Sequence, residues 1–239
     1  MRSCGEVSSF TERFSRLRIT YLKKSLQPDL TPIRALQFFQ VLRFGTFFLT
    51  GILFAKLGLS TYDIGIYEAL LFLGSVLSFF WLSGLTQSLL ANYKPKERSK
   101  EFFNAFLVLS GISVLVFIAF RLLITPYSFM ANNPEVLYFY GTFSFYLLFI
   151  GPSFLAEYML LLKEKASGLA LYGIVAFGIQ LAAVAAPIAL GYGLEEALLG
   201  LVASSIVRFI ITLGLLVKYA EFKLDGGFIR QFLVTAGPL

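Results

Sequence analysis

The sequence has no histidine, one cysteine and few charges: 14% of its 239 residues are Asp, Glu, Lys or Arg, against roughly 25% in an ordinary soluble domain. With Cys4 alone and no imidazole, neither an internal disulfide nor a zinc-ligand set can form. A Walker-type lysine loop, a Ser or Cys nucleophile beside a base, an HExxH helix and a close pair of carboxylates within a loop are also missing. The chain therefore reads as no enzyme, and nothing in it asks for a cofactor or metal.

What it does contain is apolar residues, 57% of the total, with 17% aromatic and a mean hydropathy of +0.78. These fall in runs of about 20 or more, the length needed to cross a bilayer core. The runs lack the period-2 alternation of barrel strands, and backbone groups in lipid must be bonded internally, so the spans are expected to be helices. The expected fold is an all-α polytopic membrane protein. Six spans are placed at Ile33 to Leu57, Tyr62 to Leu90, Phe102 to Ile124, Val136 to Leu162, Ser167 to Leu190 and Leu194 to Val217.

The formal charge of +6 does not read as a nucleic-acid face, because the basic residues sit between apolar runs. Lys94, Lys96, Arg98 and Lys100 follow the second span, Lys163 and Lys165 the fourth, and Lys218, Lys223 and Arg230 the sixth. The loops Gly58 to Asp63, Thr125 to Glu135 and Gly191 to Gly193 contain no Lys or Arg. Only Lys56 and Arg121 approach that side, from helix ends where a long side chain can snorkel. Cytoplasmic loops retain Lys and Arg, so the amino terminus is expected in the cytoplasm and the chain in the inner (plasma) membrane.

Residues 1–31 form a basic cytoplasmic segment. Phe10, Phe14, Leu17 and Tyr21 recur at helical spacing opposite Arg and Lys, and Ser9 with Glu12 fits a capping box. Two readings stay open: an interfacial helix on anionic lipid, or a basic tail that only sets orientation. The basic stretch precedes a full-length apolar run, so it is no cleavable signal peptide. The expected bundle occupies residues 32–219 and a cytoplasmic linker 220–228. Residues 229–239 are expected to begin a seventh helix that the sequence cuts short, a segment lying in the interface being the other reading.

Ionisable groups deep in a span are costly and usually face a cavity or a partner. Arg43 in the first span and Arg208 in the sixth lie about 15 and 14 Å from the cytoplasmic boundary at 1.5 Å per residue. Facing one cavity, they would hold a doubly charged anion such as pyrophosphate through their bidentate forks. The alternative is that each pairs with a buried carboxylate or helix-end carbonyls and only holds the bundle together. Glu157 is the candidate for charge balance or proton coupling, with Glu68 a weaker one. Gly151 and Pro152 fall in mid-span, where proline kinks a helix and transporters place hinges. Gln40, Gln87, Asn104 and Gln180 are able to bind sugar hydroxyls, or simply one another's helices.

The stretches Gln40 to Thr46 (QVLRFGT), Phe54 to Gly65 (FAKLGLSTYDIG) and Gly84 to Leu90 (GLTQSLL) resemble the opening of polysaccharide flippases of the Wzx kind. These belong to the multidrug/oligosaccharidyl-lipid/polysaccharide exporter superfamily. Six spans, a basic loop after the sixth and the restart Phe228 to Leu239 (FIRQFLVTAGPL) match the place where that family's second six-helix bundle begins. The resemblance implies one bundle of a two-bundle transporter that flips a lipid-linked (undecaprenyl-pyrophosphate) oligosaccharide for polysaccharide biosynthesis. It also implies that Arg43 and Arg208 meet the pyrophosphate. Membrane lipid, that substrate, and a polysaccharide polymerase or glycosyltransferases are the expected partners. Two alternatives are a cation-coupled small-molecule (multidrug) exporter of the same superfamily, and a non-transporting membrane scaffold for polysaccharide assembly.

Overall fold

The computed structural model describes residues 31–124 and 134–235. The basic segment expected over residues 1–31 lies, apart from Thr31, outside them. The described residues form eight helices: α1 (Pro32–Lys56), α2 (Thr61–Asn92), α3 (Lys100–Ile124), α4 (Pro134–Ser153), α5 (Leu155–Leu162), α6 (Ala166–Ala189), α7 (Leu194–Tyr219) and α8 (Gly226–Thr235). No strand occurs among them, only a parallel bridge between Ser99 and Ala220.

The fold is the expected all-α polytopic bundle. The helices α1, α3, α6 and α7, and α4 with α5 counted together, are each long and apolar enough to cross a membrane. The helix α2 is bent by 45° between Ser78 and Trp81, and its two halves counted as one span bring the number to six. Large apolar side chains such as Val41, Phe48, Leu115, Leu171 and Ile210 point outward, the arrangement expected where lipid is the solvent.

Local sequence sets the ends. Gly58 (φ +85°) and Gly191 (φ +86°) close α1 and α6 in the left-handed region, which glycine enters without a Cβ penalty. The Ser60 hydroxyl accepts from Asp63 N–H at 3.1 Å to start α2, and the Glu196 carboxylate accepts from Gly193 N–H at 3.1 Å to start α7. At the opposite end, Asp225 Oδ1 accepts from Phe228 N–H at 3.0 Å and starts α8, three residues earlier than the expected restart at 229.

Packing runs α1 on α6, α6 on α7, α7 on α4 and α4 on α3, with α2 touching α1 only sparingly. Two small-residue contacts make this possible. A Cβ on Gly200 would lie 1.9 Å from the Ala183 carbonyl oxygen, and one on Gly173 2.9 Å from the Phe39 ring, so backbones approach where only glycine fits.

The core divides along the bundle's height. One cluster gathers Phe54, Tyr67, Leu70, Phe120, Phe143 and Leu201. Two others occupy the opposite end, one around Leu85, Phe102, Met159 and Phe232, one around Phe39, Ala156, Leu169 and Phe177.

Candidate functional site

The break between α4 and α5 builds one wall of the site. Pro152 has no N–H to return to the preceding turn, and α4 stops at Ser153. Phe154 N–H turns back to the Gly151 carbonyl at 3.3 Å before α5 begins at Leu155. Gly151 itself is an approach point, since a Cβ there would meet Ser113 Oγ at 2.0 Å. The interruption puts Glu157 in the first turn of α5, beside free N–H groups and the positive helix end. It also sets the Phe154 ring 5.1 Å from the Arg43 guanidinium.

Arg43 Nη2 donates to Glu157 Oε2 at 2.5 Å, and the two side chains are 20% and 3% exposed. The same guanidinium lies 5.2 Å over Phe39. Phe39 stacks on Tyr172 at 5.8 Å and tilts against Phe177 at 5.1 Å, and Phe177 lies 5.2 Å beneath the Arg208 guanidinium. An aromatic floor thus joins the two arginines. Cation–π contact fixes each guanidinium plane and offsets part of its desolvation.

Arg208 is 4% exposed. Its Nε is buried without a hydrogen-bond partner among the described residues, and its guanidinium is close enough to the Tyr172 hydroxyl to interact with it. Glu157, Tyr146 and Tyr172 lie within its electrostatic reach. Among the described residues the two guanidinium groups share one carboxylate, in a medium where an unpaired ion costs several kcal/mol. Such an arrangement suits an anion.

A cavity of about 320 Å³ opens between α1, α2, α4, α6 and α7, lined by both arginines with Gln180, Tyr146, Phe154 and Phe177. At about 30 Å³ per water it has room for roughly ten. No protein-family model, curated protein or solved structure matches this chain. The cavity's chemistry is therefore the guide to what it holds.

Arg43 and Arg208 meet in this cavity, Glu157 is bonded to Arg43, and Gly151 and Pro152 stand at the break that positions it. For Arg43 the pairing is also what a purely structural arginine would make; for Arg208 no carboxylate partner occurs among the described residues. Gln180 joins the lining. Asn104 lies elsewhere, donating to the Lys223 carbonyl at 2.9 Å and accepting from Asp225 N–H at 3.0 Å. Glu68 faces Gly51 across α1 and α2. Sequence reasoning passed over Phe39, Tyr146, Phe154, Tyr172 and Phe177; in a chain 17% aromatic, one more ring at helical spacing carries no signal. Among the described residues no His, Cys, Asp and Glu group assembles that could hold a metal.

Proposed function

We propose that the chain is the first bundle of a flippase for a lipid-linked (undecaprenyl-pyrophosphate) oligosaccharide in the inner membrane, working in polysaccharide biosynthesis beside a polymerase or glycosyltransferases. The observation that supports this reading most is Arg208, a buried cation with no carboxylate bonded to it among the described residues, sharing a cavity with Arg43. The pyrophosphate bridges the two guanidinium forks, and charge-assisted hydrogen bonds to both replace the water that its oxygens lose. Glu157 balances or couples the charge by holding Arg43 when the phosphate is absent. The break at Gly151 and Pro152 is the hinge that lets this wall of the cavity move. Replacing Arg43 and Arg208 together with alanine is expected to abolish export while membrane insertion persists, read by surface polysaccharide and membrane-fraction immunoblot. Normal export in the double variant removes the site from consideration.

A second reading has its own observation. The cavity's volume and aromatic lining also suit a drug-sized molecule, as in a cation-coupled small-molecule exporter. That reading expects deletion to change drug sensitivity and to leave surface polysaccharide unaltered.

A further inference from the structure

Away from the central cavity, one arginine is held in a way that its place on its helix does not require. Arg121 stands in the last turn of α3, where a cation is expected to meet its own helix's final carbonyls. It reaches across to α4 instead: Nε donates to Ser144 Oγ at 3.0 Å and Nη2 to the Gly141 carbonyl at 3.3 Å. The Phe117 and Phe145 rings lie 5.5 and 5.2 Å from the guanidinium carbon and fix its plane. A Cβ on residue 141 would lie 3.6 Å from Nη1, so glycine there leaves that edge open. The guanidinium lines a cavity of about 560 Å³ with Tyr138, Thr142 and Leu199, a volume that suits a small ligand. This cavity shares no lining residue with that of Arg43 and Arg208.

Tyr138 also lines a second cavity, of about 510 Å³, whose charged lining residues are Asp63, Glu195 and Glu196. Two of these carboxylates serve their own helix starts. Asp63 accepts from the Ser60 hydroxyl at 2.6 Å, and Glu196 accepts from Gly193 N–H. Glu195 instead lies within hydrogen-bonding reach of the Tyr138 hydroxyl, which Thr142 also approaches. A guanidinium fork from α3 and a carboxylate from α7 thus stand in the two cavities that Tyr138 separates, with α4 packed on both helices. We infer that the paired cavities form a site for a phosphoethanolamine-type zwitterion, its phosphate on Arg121 and its ammonium on Glu195. A lone anion would meet the neighbouring carboxylates and a lone cation the guanidinium, each a like-charge contact. A head that bears both signs meets neither. The fork suits phosphate through paired N–H donors, and a carboxylate calls for N–H donors, which a primary ammonium has and a quaternary one lacks. A membrane phospholipid and a free phosphoethanolamine ester both carry this head.

The full chain in detergent is offered dioleoyl phosphatidylethanolamine, phosphatidylcholine and phosphatidylglycerol in turn, and bound lipid is counted by native mass spectrometry. Phosphatidylethanolamine is expected to be retained about tenfold more strongly than either other lipid, as one charge-assisted hydrogen bond allows. Phosphatidylcholine lacks the N–H donors, and phosphatidylglycerol lacks the cation. Arg121→Gln and Glu195→Gln should each remove that preference. Lys56→Gln, which alters a cation that lines neither cavity, should leave it intact. Glycerophosphoethanolamine, the head without its chains, is then added as competitor. If it displaces the bound lipid, a free ester suffices as ligand; if only the dioleoyl lipid does so, the ligand is the membrane phospholipid. Equal retention of all three lipids by the unaltered chain overturns the site, whether or not the variants fold. So does a preference for phosphatidylethanolamine that survives both substitutions. Neither result touches the reading of Arg43 and Arg208, whose cavity lies apart.

Discussion

Glu157 and Arg43 hold each other in place, and taking one away strands the other. Glu157→Gln leaves a guanidinium between Phe39 and Phe154 with no anion, a change that costs roughly 3–5 kcal/mol when a buried pair is broken. Arg43 keeps 20% exposure, so the low end of that range is expected. Arg43→Met with Glu157→Leu should lose less than either single change, because paired apolar replacements remove the desolvation cost along with the attraction. Denaturant titration in micelles reads both. Arg208 behaves oppositely: with no carboxylate of its own, Arg208→Met should raise the melting temperature of the ligand-free protein while removing anion binding, the trade expected of a functional buried charge. A lower melting temperature for Arg208→Met would show that the side chain supports the fold instead.

Among the helices, two glycine contacts differ in what they press against. Gly151 faces the hydroxyl of Ser113, which rotates away, whereas Gly200 faces the backbone carbonyl of Ala183, which cannot. Gly151→Ala should cost about 1–3 kcal/mol, the usual range for overpacking, and be relieved by Ser113→Gly; Gly200→Ala should cost more, with no single rescuing change. Melting temperatures of Gly151→Ala, of Gly151→Ala with Ser113→Gly, and of Gly200→Ala check this. The helix α8 depends on Asp225, which bonds Lys100 Nζ at 2.5 Å and accepts from Phe228 N–H. The lysine beside it, and the helix N–H it receives, hold the Asp225 carboxyl below its usual range. Stability from that ionised form is complete above the unfolded value and drains away as pH falls through the lowered folded one. Protection factors of the α8 amides, taken relative to intrinsic exchange at each pH, should therefore fall in acid, and Asp225→Asn should make them low and insensitive to pH. Pro152 announced the break in α4; the bend in α2 has no proline between Ser78 and Trp81, and no residue there gave it away.

Across the whole molecule, hydropathy made the number and limits of the spans legible, because bilayer thickness fixes their length. It also set Arg43 and Arg208 at a similar height along their helices, since rise per residue is constant, and the two line one cavity. Rotation about each helix axis was not legible. Arg43 and Glu157 stand 114 residues apart in the chain, and which faces meet depends on where glycines such as Gly173 and Gly200 let backbones close up. Orientation in the membrane rests on the loop cations and is open to a direct check. Single cysteines replacing Lys96 and Thr61, in a chain whose Cys4 is changed to Ser, should react with a membrane-impermeant maleimide from opposite sides, Thr61→Cys from outside intact cells. Labelling of both from one side would overturn the topology.

The two ties at the charged end of the bundle are made of different materials. Where Asp225 holds Lys100 through a carboxylate, Lys163 Nζ is bound by the carbonyls of Lys96 and Glu97 and lies over the rings of Tyr93, Phe102 and Tyr219. Carbonyls and ring faces do not take up protons as a carboxylate does. Acid should then dismantle this end in sequence, α8 lifting off while the turn after α5 remains pinned, so that a loosened carboxyl-terminal helix coexists with an intact six-crossing bundle.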